Sequence, residues 1–439
     1  MNIAHNPATG LSPLSRRTLI AALGVGAGAL LTGCGLYDDG GGGDGTQITY
    51  VIPQSQIALG KFEEIVKAWQ DKTGHRVDVQ GVGEQYESVV NTRLQSGTGI
   101  DLFRGKYETF DVKNQMRPIK DTAFLQRTLK PLADSMAHDG TVYGVPVPTG
   151  VNTMGVFYSK AAFAKAGVEA APKTLDEMGA VCKKLADAGV TPLFFSGAGD
   201  DAWTLLQHRN AVYFDIGGNA PNTWAELSSN RTSWADVPLF TSQIQALAQW
   251  VGASFINKNA GTANYSDAQK ALATGTAGMV IQGDWIVGEV LKLDPKAELG
   301  FFPLPTTHGP ATLGISAGDG GVHIAKSSKV GDAAEDLLQF MIQPDQVRKA
   351  LEATPAIPAF TDVTLPDSAP AVLKDITALI GSSPTTDKGE NAYAVPAPES
   401  DLKGLYQDLL AGRRNAAQFI KGWQDAYVKS AKVKGLGGF

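Results

Sequence analysis

The chain has 439 residues, 43% of them hydrophobic and 19% charged, with a formal net charge of −6. This is a globular composition, and the length suggests two or more lobes. The acidity is mild and spread along the chain, and no basic block is present to neutralise phosphates, which argues against a nucleic-acid partner. Only two cysteines occur, Cys34 and Cys182, so no disulfide framework is available. The six histidines are dispersed, without H-x-H or H-E-x-x-H spacing, and neither a transition-metal site nor a cofactor is expected.

At the N-terminus, Arg16 and Arg17 precede an apolar run rich in Gly and Ala that ends at Cys34. The run is too short and too glycine-rich for a membrane span, and its layout is that of an export signal. Ser15-Arg16-Arg17 before Thr18-Leu19-Ile20 looks like a twin-arginine signal; paired arginines also precede ordinary secretory signals, so both routes stay open. Leu31-Thr32-Gly33-Cys34 resembles the bacterial lipobox. That resemblance implies removal of residues 1–33 and a diacylglycerol group on the Cys34 thiol. Residues 34–45 then form the lipidated cysteine and a flexible glycine linker. Each buried acyl CH₂ contributes about 0.8 kcal/mol, and two or more chains anchor stably at the outer face of the cell membrane. The alternative is ordinary secretory cleavage that leaves a free thiol.

The chain after residue 45 alternates strands with helices. Gln47–Pro53 reads as a strand, and Ala58, Phe62, Ile65, Val66 and Trp69 fall on one helical face that ends at a Gly74 cap. Arg76–Gln80 is the next strand. Tyr86, Val89, Val90 and Leu94 repeat at helical spacing, and Gly99–Phe103 is a third strand. A second α/β stretch starts near Gly155. In it Thr174 and Glu177 fit a capping box, as do Ser266 and Gln269, and Cys182 sits at an apolar helical position as a core residue. Ile244, Leu247, Val251 and Phe255 form one stripe. "TPLFFSG", "AGMVIQGDW", "LGFFPLP" and "GGVHIAKSS" read as further strands, and the tail from Thr361 is mostly helical. The alternation implies an α/β fold of mainly parallel, doubly wound sheets.

In open α/β sheets, ligands bind beyond the carboxyl ends of strands. Those positions hold Gln54, Ser55 and Gln56; then Arg104, Lys106, Tyr107 and Glu108; then Asp200, Asp201 and Trp203; then Asp284 and Trp285. A sugar wants this mixture, because its hydroxyls pair with carboxylates, amides and guanidinium groups while its C–H faces pack on aromatic rings. Asp284 is equally a candidate cap for a helix beginning at Trp285. The carboxylates also leave a secreted glycoside hydrolase open, with an acid pair drawn from Glu108, Asp200, Asp201 and Asp284. No G-x-S-x-G or Cys/His signature supports another hydrolase, and no catalytic residue is assigned.

The block "DGTVYGVPVPTGVNTMGVFYSKAAFAKAGVEAAPKTLDEM" (Asp139–Met178) resembles the signature region of the bacterial family 1 extracellular solute-binding proteins. These are the carbohydrate receptors of ABC importers, with the maltose-binding protein a distant relative. "SGTGIDLF", "LADAGVTPLFFSG", "ALATGTAGMVIQGDW" and "LGFFPLP" match further blocks in the family order. The resemblance implies two α/β lobes with the ligand between them: 46–150 plus 318–355, and 151–317 plus 356–439. It places crossovers near Thr149–Gly155 and Ser316–Gly321, the latter containing Asp319. Trp285 matches the family's sugar-stacking aromatic, Trp203 and the acids before it another cleft segment. Asn152 matches a cleft position at the first crossover, and Glu108 falls near a hydroxyl-binding acid. Leu175 replaces the usual Trp of "KTWDE", and the tail "PAPESDLKGLYQ" does not reproduce the aromatic pair of the maltose-binding relative. The implied action is hinge closure on a carbohydrate and docking of the loaded, lipid-anchored monomer on permease subunits. A polyamine, anion or metal as cargo, and a sensor subunit without transport, remain alternatives.

The lipobox reading predicts that Cys34→Ala moves the protein from the membrane fraction to the soluble exported fraction. A Cys34→Ala protein that still sediments with membranes would refute the anchor.

Overall fold

The structure is a computed structural model that describes residues 45–83, 85–148, 150–317, 320–389 and 397–439. Cys34, the arginine pair, the glycine linker and Asp319 lie outside the described residues, as does the side chain of Glu108.

Strand β1 (Gln47–Pro53) is apolar on both faces and becomes a central strand, flanked by β2 (Arg76–Val82) and β3 (Leu102–Gly105). Between β1 and β2 the helix Phe62–Thr73 buries Phe62, Ile65, Val66 and Trp69, the i, i+3, i+4, i+7 set of an amphipathic helix. Gly74 closes it in the left-handed region and donates to Gln70 O at 2.8 Å. Ala58 is not on this face. The chain forms a short turn at Gln54–Ile57, then breaks through positive φ at Gly60 and Lys61 before the helix starts. The short strand β4 (Met116–Arg117) and a hairpin of β5 (Ala137–His138) and β6 (Thr141–Val142) precede β7 (Gly144–Val145).

The second sheet begins with β8 (Met154–Ser159) and continues with β9 (Thr191–Leu193), β10 (Ala277–Gly283) and β11 (Leu299–Phe302). After β12 (Leu313–Gly314) the chain returns to the first sheet as β13 (Gly321–Ala325), and β14 (Thr385–Thr386) later pairs with β12. The first sheet has the order β2-β1-β3-β13-β4, with β7 also on β13; the second has the order β11-β8-β10-β9. These sheets are the centres of the two lobes of an α/β fold. They are mixed rather than mainly parallel. β1 runs parallel to β2 and β3, and β10 to β9, but β13 and β8 run antiparallel to their neighbours. Each of these two strands enters its sheet straight from a crossover, without the helical connection that makes a strand parallel.

Helix starts also depart from expectation. The helix Tyr265–Ala273 is capped two residues earlier than the Ser266/Gln269 pattern, by a capping box of Asn264 and Asp267. At Leu175–Asp187, Thr174 accepts from Glu177 N, but the Glu177 carboxylate takes the N–H of Lys173, one residue upstream of the expected partner. The helix Pro238–Gly252 starts at a proline and ends before Phe255, which packs from the following loop. Cys182 is fully buried and unpaired, and burial pushes its thiol pKa up to about 12, as a core residue requires.

The crossovers are laced together. Asn152 and Ser316 exchange both backbone bonds at 2.9 Å, and Val151 N donates to Ile357 O at 2.9 Å. Gly150 sits at φ +95°, and a Cβ there would lie 2.4 Å from Ile357 O, so only glycine lets these segments approach. Val151, Leu313, Ile315 and Ile357 are buried in one apolar cluster that runs from β1 and Trp69 to Phe157, Val280 and Leu299 of the second sheet. A separate core, built on Tyr213, Trp234, Phe240 and Trp423, fills the far side of the second lobe.

Candidate ligand-binding cleft

A cavity of about 770 Å³ opens beside the crossovers, within the usual ligand-pocket range of about 300–1,000 Å³. One wall is the end of β3 and the residues after it (Gly105, Lys106, Tyr107) with Asp134 to Ala137, Gly320, Gly321 and His323; the other holds Pro221, Trp224, Ser228, Asp387 and Lys388. Ile315, Ser316 and Ala317 form the floor.

Of the residues expected from sequence, Tyr107 lines this cavity directly. Its hydroxyl is already spent on Met136 O at 2.5 Å, and burial raises its pKa, so it offers a ring and not an ionisable group. Arg104 is buried, with Nη1 donating to Gln56 Oε1 at 2.6 Å; together they border a small adjoining hollow of about 20 Å³. Gln54 and Ser55 are exposed at the start of the turn after β1. Asn152 is half-buried, one backbone pair away from Ser316 on the cavity floor.

The second group forms a separate patch. Trp203, Tyr265 and Trp285 cluster with ring centroids 5.1 Å (Trp203–Tyr265) and 6.2 Å (Trp203–Trp285) apart, both indoles half-buried. Neither indole borders the 770 Å³ cavity; Trp224 does. The patch and the cavity are linked through the crossover, where Thr153 bonds Asp284 and Asn152 bonds Ser316. The six-membered ring of Trp285 lies over Gly283, where a Cβ would fall 2.1 Å from it, so glycine at the end of β10 is what seats the indole. Asp200 is exposed, while Asp201 is committed to the N–H of Tyr265 at 2.9 Å.

Asp284 does not cap the following helix. That helix, Ile286–Leu293, has Trp285 at its N-cap position and no side-chain cap bond. The Asp284 carboxyl turns inward instead and accepts the N–H of Thr153 at 2.8 Å, which outcompetes the expected cap because both partners are buried. Burial pushes its pKa up to about 7, only partly offset by the backbone N–H groups of Thr153 and Asp284.

His323 escaped the sequence reading. It stands in the fully buried β13, with Nδ1 2.9 Å from Tyr143 O and Nε2 2.8 Å from Gly105 O, and its ring lies 5.2 Å from that of Tyr107. Burial holds its pKa below the ordinary imidazole value, against the pull of the two carbonyls. It ties the β3 end to β7 across β13. The signal was present in "GGVHIAKSS": a histidine in an otherwise apolar strand needs partners. Trp224, Asp387 and Lys388 carried no such signal, since they do not follow sheet strands of the lobe cores.

With this geometry in place, comparison with known proteins is decisive for the family. Residues 53–348 match the family model of the bacterial extracellular solute-binding proteins. The chain belongs to this family. Among curated relatives of this solute-binding protein, the multiple sugar-binding protein of Streptococcus mutans serotype c is 24% identical over 269 residues; the match takes in 60% of this chain and spans 63% of that protein's length. The melibiose/raffinose/stachyose-binding protein MelE of Bacillus subtilis is 22% identical, covering 69% of this chain and 71% of that one. The solved apo-form of RafE from Streptococcus pneumoniae superposes with a TM-score of 0.73 at 21% identity, over 89% of this chain and 100% of that one. The likeness establishes the two-lobed solute-binding fold. Membership of an extracellular family makes this an exported protein.

The raised Asp284 pKa has a testable consequence. Between its ordinary value of 3.8 and about 7, the folded protein holds a proton that the unfolded chain releases, so this group makes stability fall as pH rises through that window. The melting temperature of wild type should therefore drop more between pH 5 and pH 8 than that of Asp284→Asn. Parallel curves for the two proteins would contradict the assignment.

Proposed function

We propose that this solute-binding protein captures an oligosaccharide between its lobes and delivers it to the permease subunits of an ABC importer. The carrying observation is the half-buried Trp203–Trp285 shelf with Tyr265, set at the end of a fully buried strand beside the crossovers. Aromatic faces held rigidly at a strand tip suit the C–H faces of sugar rings, and the half-buried Asn152 and the exposed Asp200 supply polar groups for hydroxyls. The names of the two relatives, a multiple sugar-binding protein and a melibiose/raffinose/stachyose-binding protein, support the same class of ligand.

Binding without catalysis fits the carboxylates. Asp284 and Asp201 each accept a backbone N–H, from Thr153 and Tyr265, which suits a structural use of these two carboxyls better than acid–base work on a glycosidic bond. In the proposed cycle the lobes are 46–150 plus 318–355 and 151–317 plus 356–439. The return of β13 to the first sheet supports this division, as does the packing of the helix Ala371–Ser382 on β11. A sugar that touches both lobes favours the closed state by its differential affinity for it. The protein acts as a monomer without nucleic acid. A diacylglycerol on Cys34 holds it at the outer membrane face, where tethering raises its effective concentration near the permease.

Thermal-shift titration with melibiose, raffinose and stachyose should raise the melting temperature by mass action. In calorimetry Trp285→Ala should weaken the preferred sugar at least tenfold, about 1.4 kcal/mol, with the fold intact. An unchanged affinity would remove Trp285 from the site, and no stabilisation by any saccharide would overturn the sugar reading.

A further inference from the structure

Asp284 stands next to the aromatic shelf in sequence, yet its side chain faces away from solvent, with the residue only 6% exposed. Its Oδ1 accepts the N–H of Thr153 at 2.8 Å, and its own N–H donates to Thr153 O at 3.1 Å. Thr153 is fully buried. The antiparallel ladder of β8 and β10 ends with the pair Met154–Gly283, so this two-way clasp extends the ladder by one step beyond both strands. On the other side of Thr153, Asn152 exchanges two backbone bonds with Ser316 on the cavity floor. One unbroken series of bonds therefore runs from the residue before Trp285, through the first crossover, to the second.

We propose that Asp284 is a positioning residue: it fastens the strand end that carries Trp285 to the crossover, and so sets sugar affinity without touching the sugar. The proposal rests on the reading of Trp285 as part of the sugar platform. A carboxyl is suited to the task because its oxygen reaches a backbone N–H that the strand pairing leaves open, and a residue unable to reach it would strand a buried donor. Gly283 presses the indole from below, and the clasp fixes the backbone from the side, which leaves the ring little freedom. Among the described residues nothing comparable holds Asp200, which is exposed on the segment that carries Trp203.

The test uses full-length protein labelled with 5-fluorotryptophan, read by ¹⁹F NMR with the Trp285 signal assigned through Trp285→Phe. Asp284→Ala should shift or broaden the Trp285 signal, and that of Trp203 beside it, while the other five indole signals report an intact fold. Asp284→Asn, which keeps the acceptor oxygen, should restore the wild-type spectrum. In calorimetry with raffinose, Asp284→Ala should bind at least tenfold more weakly and Asp284→Asn within threefold of wild type. If Asp284→Ala does not fold, Asp284→Ser, too short to reach Thr153, carries the same expectations. A Trp285 signal unmoved in a folded Asp284→Ala or Asp284→Ser protein overturns the proposal, as does Asp284→Asn binding as weakly as Asp284→Ala. Loss of raffinose binding in Trp285→Ala with full binding in Asp284→Ala sinks this inference alone. The spectrum of the sugar-free protein decides it even if raffinose is not the ligand.

Discussion

The backbone pairing of the crossover segments is the constraint on which the rest of the molecule depends. Asn152 with Ser316, and Val151 with Ile357, join extended segments that belong to no strand, and Val151, Ile315 and Ile357 sit in a core shared by both sheets. The two sheets are connected by a few hydrogen-bonded extended residues and by the apolar cluster packed around them. Hinge motion in such proteins is absorbed by a few loop or element-terminal residues. Gly150, at positive φ and in close contact with Ile357, is where the first crossover begins.

From that junction the site follows. Strand β3 ends and β13 begins on one side of it, and β10 ends on the other, so side chains at those points are brought together by topology and not by sequence proximity. Two surfaces result. One is a roomy cavity with Tyr107, Trp224 and several charged groups; the other is the Trp203–Tyr265–Trp285 shelf. They are linked through the Asn152–Thr153 step, and an extended ligand such as a short oligosaccharide suits such a divided site better than a compact one.

Much of this was legible in the sequence because two physical signals were strong. Periodicity exposed the half-buried helix Phe62–Thr73, a short apolar run between glycines exposed the buried strand β10, and the strand-tip rule offered Tyr107, Trp203 and Trp285 as candidates. The helix Leu206–Asn219 was invisible for the opposite reason: it is buried from Leu206 to Arg209 and from Ala211 to Gly217, so no polar face marks its turn. Asp284 was legible as a strand-end candidate but not in its contact with Thr153, since a cap and an inward clasp read alike in one dimension. Strand direction in β8 and β13 was misjudged because alternation of strands and helices does not say which strands arrive by a crossover.

The central claim is that two halves close on a saccharide about these paired crossovers. Small-angle X-ray scattering with and without a saturating concentration of the most stabilising sugar measures this directly. The account predicts a smaller radius of gyration in the saturated protein, with the change absent in Trp285→Ala at the same sugar concentration. A scattering curve that does not change while calorimetry shows full occupancy would contradict it.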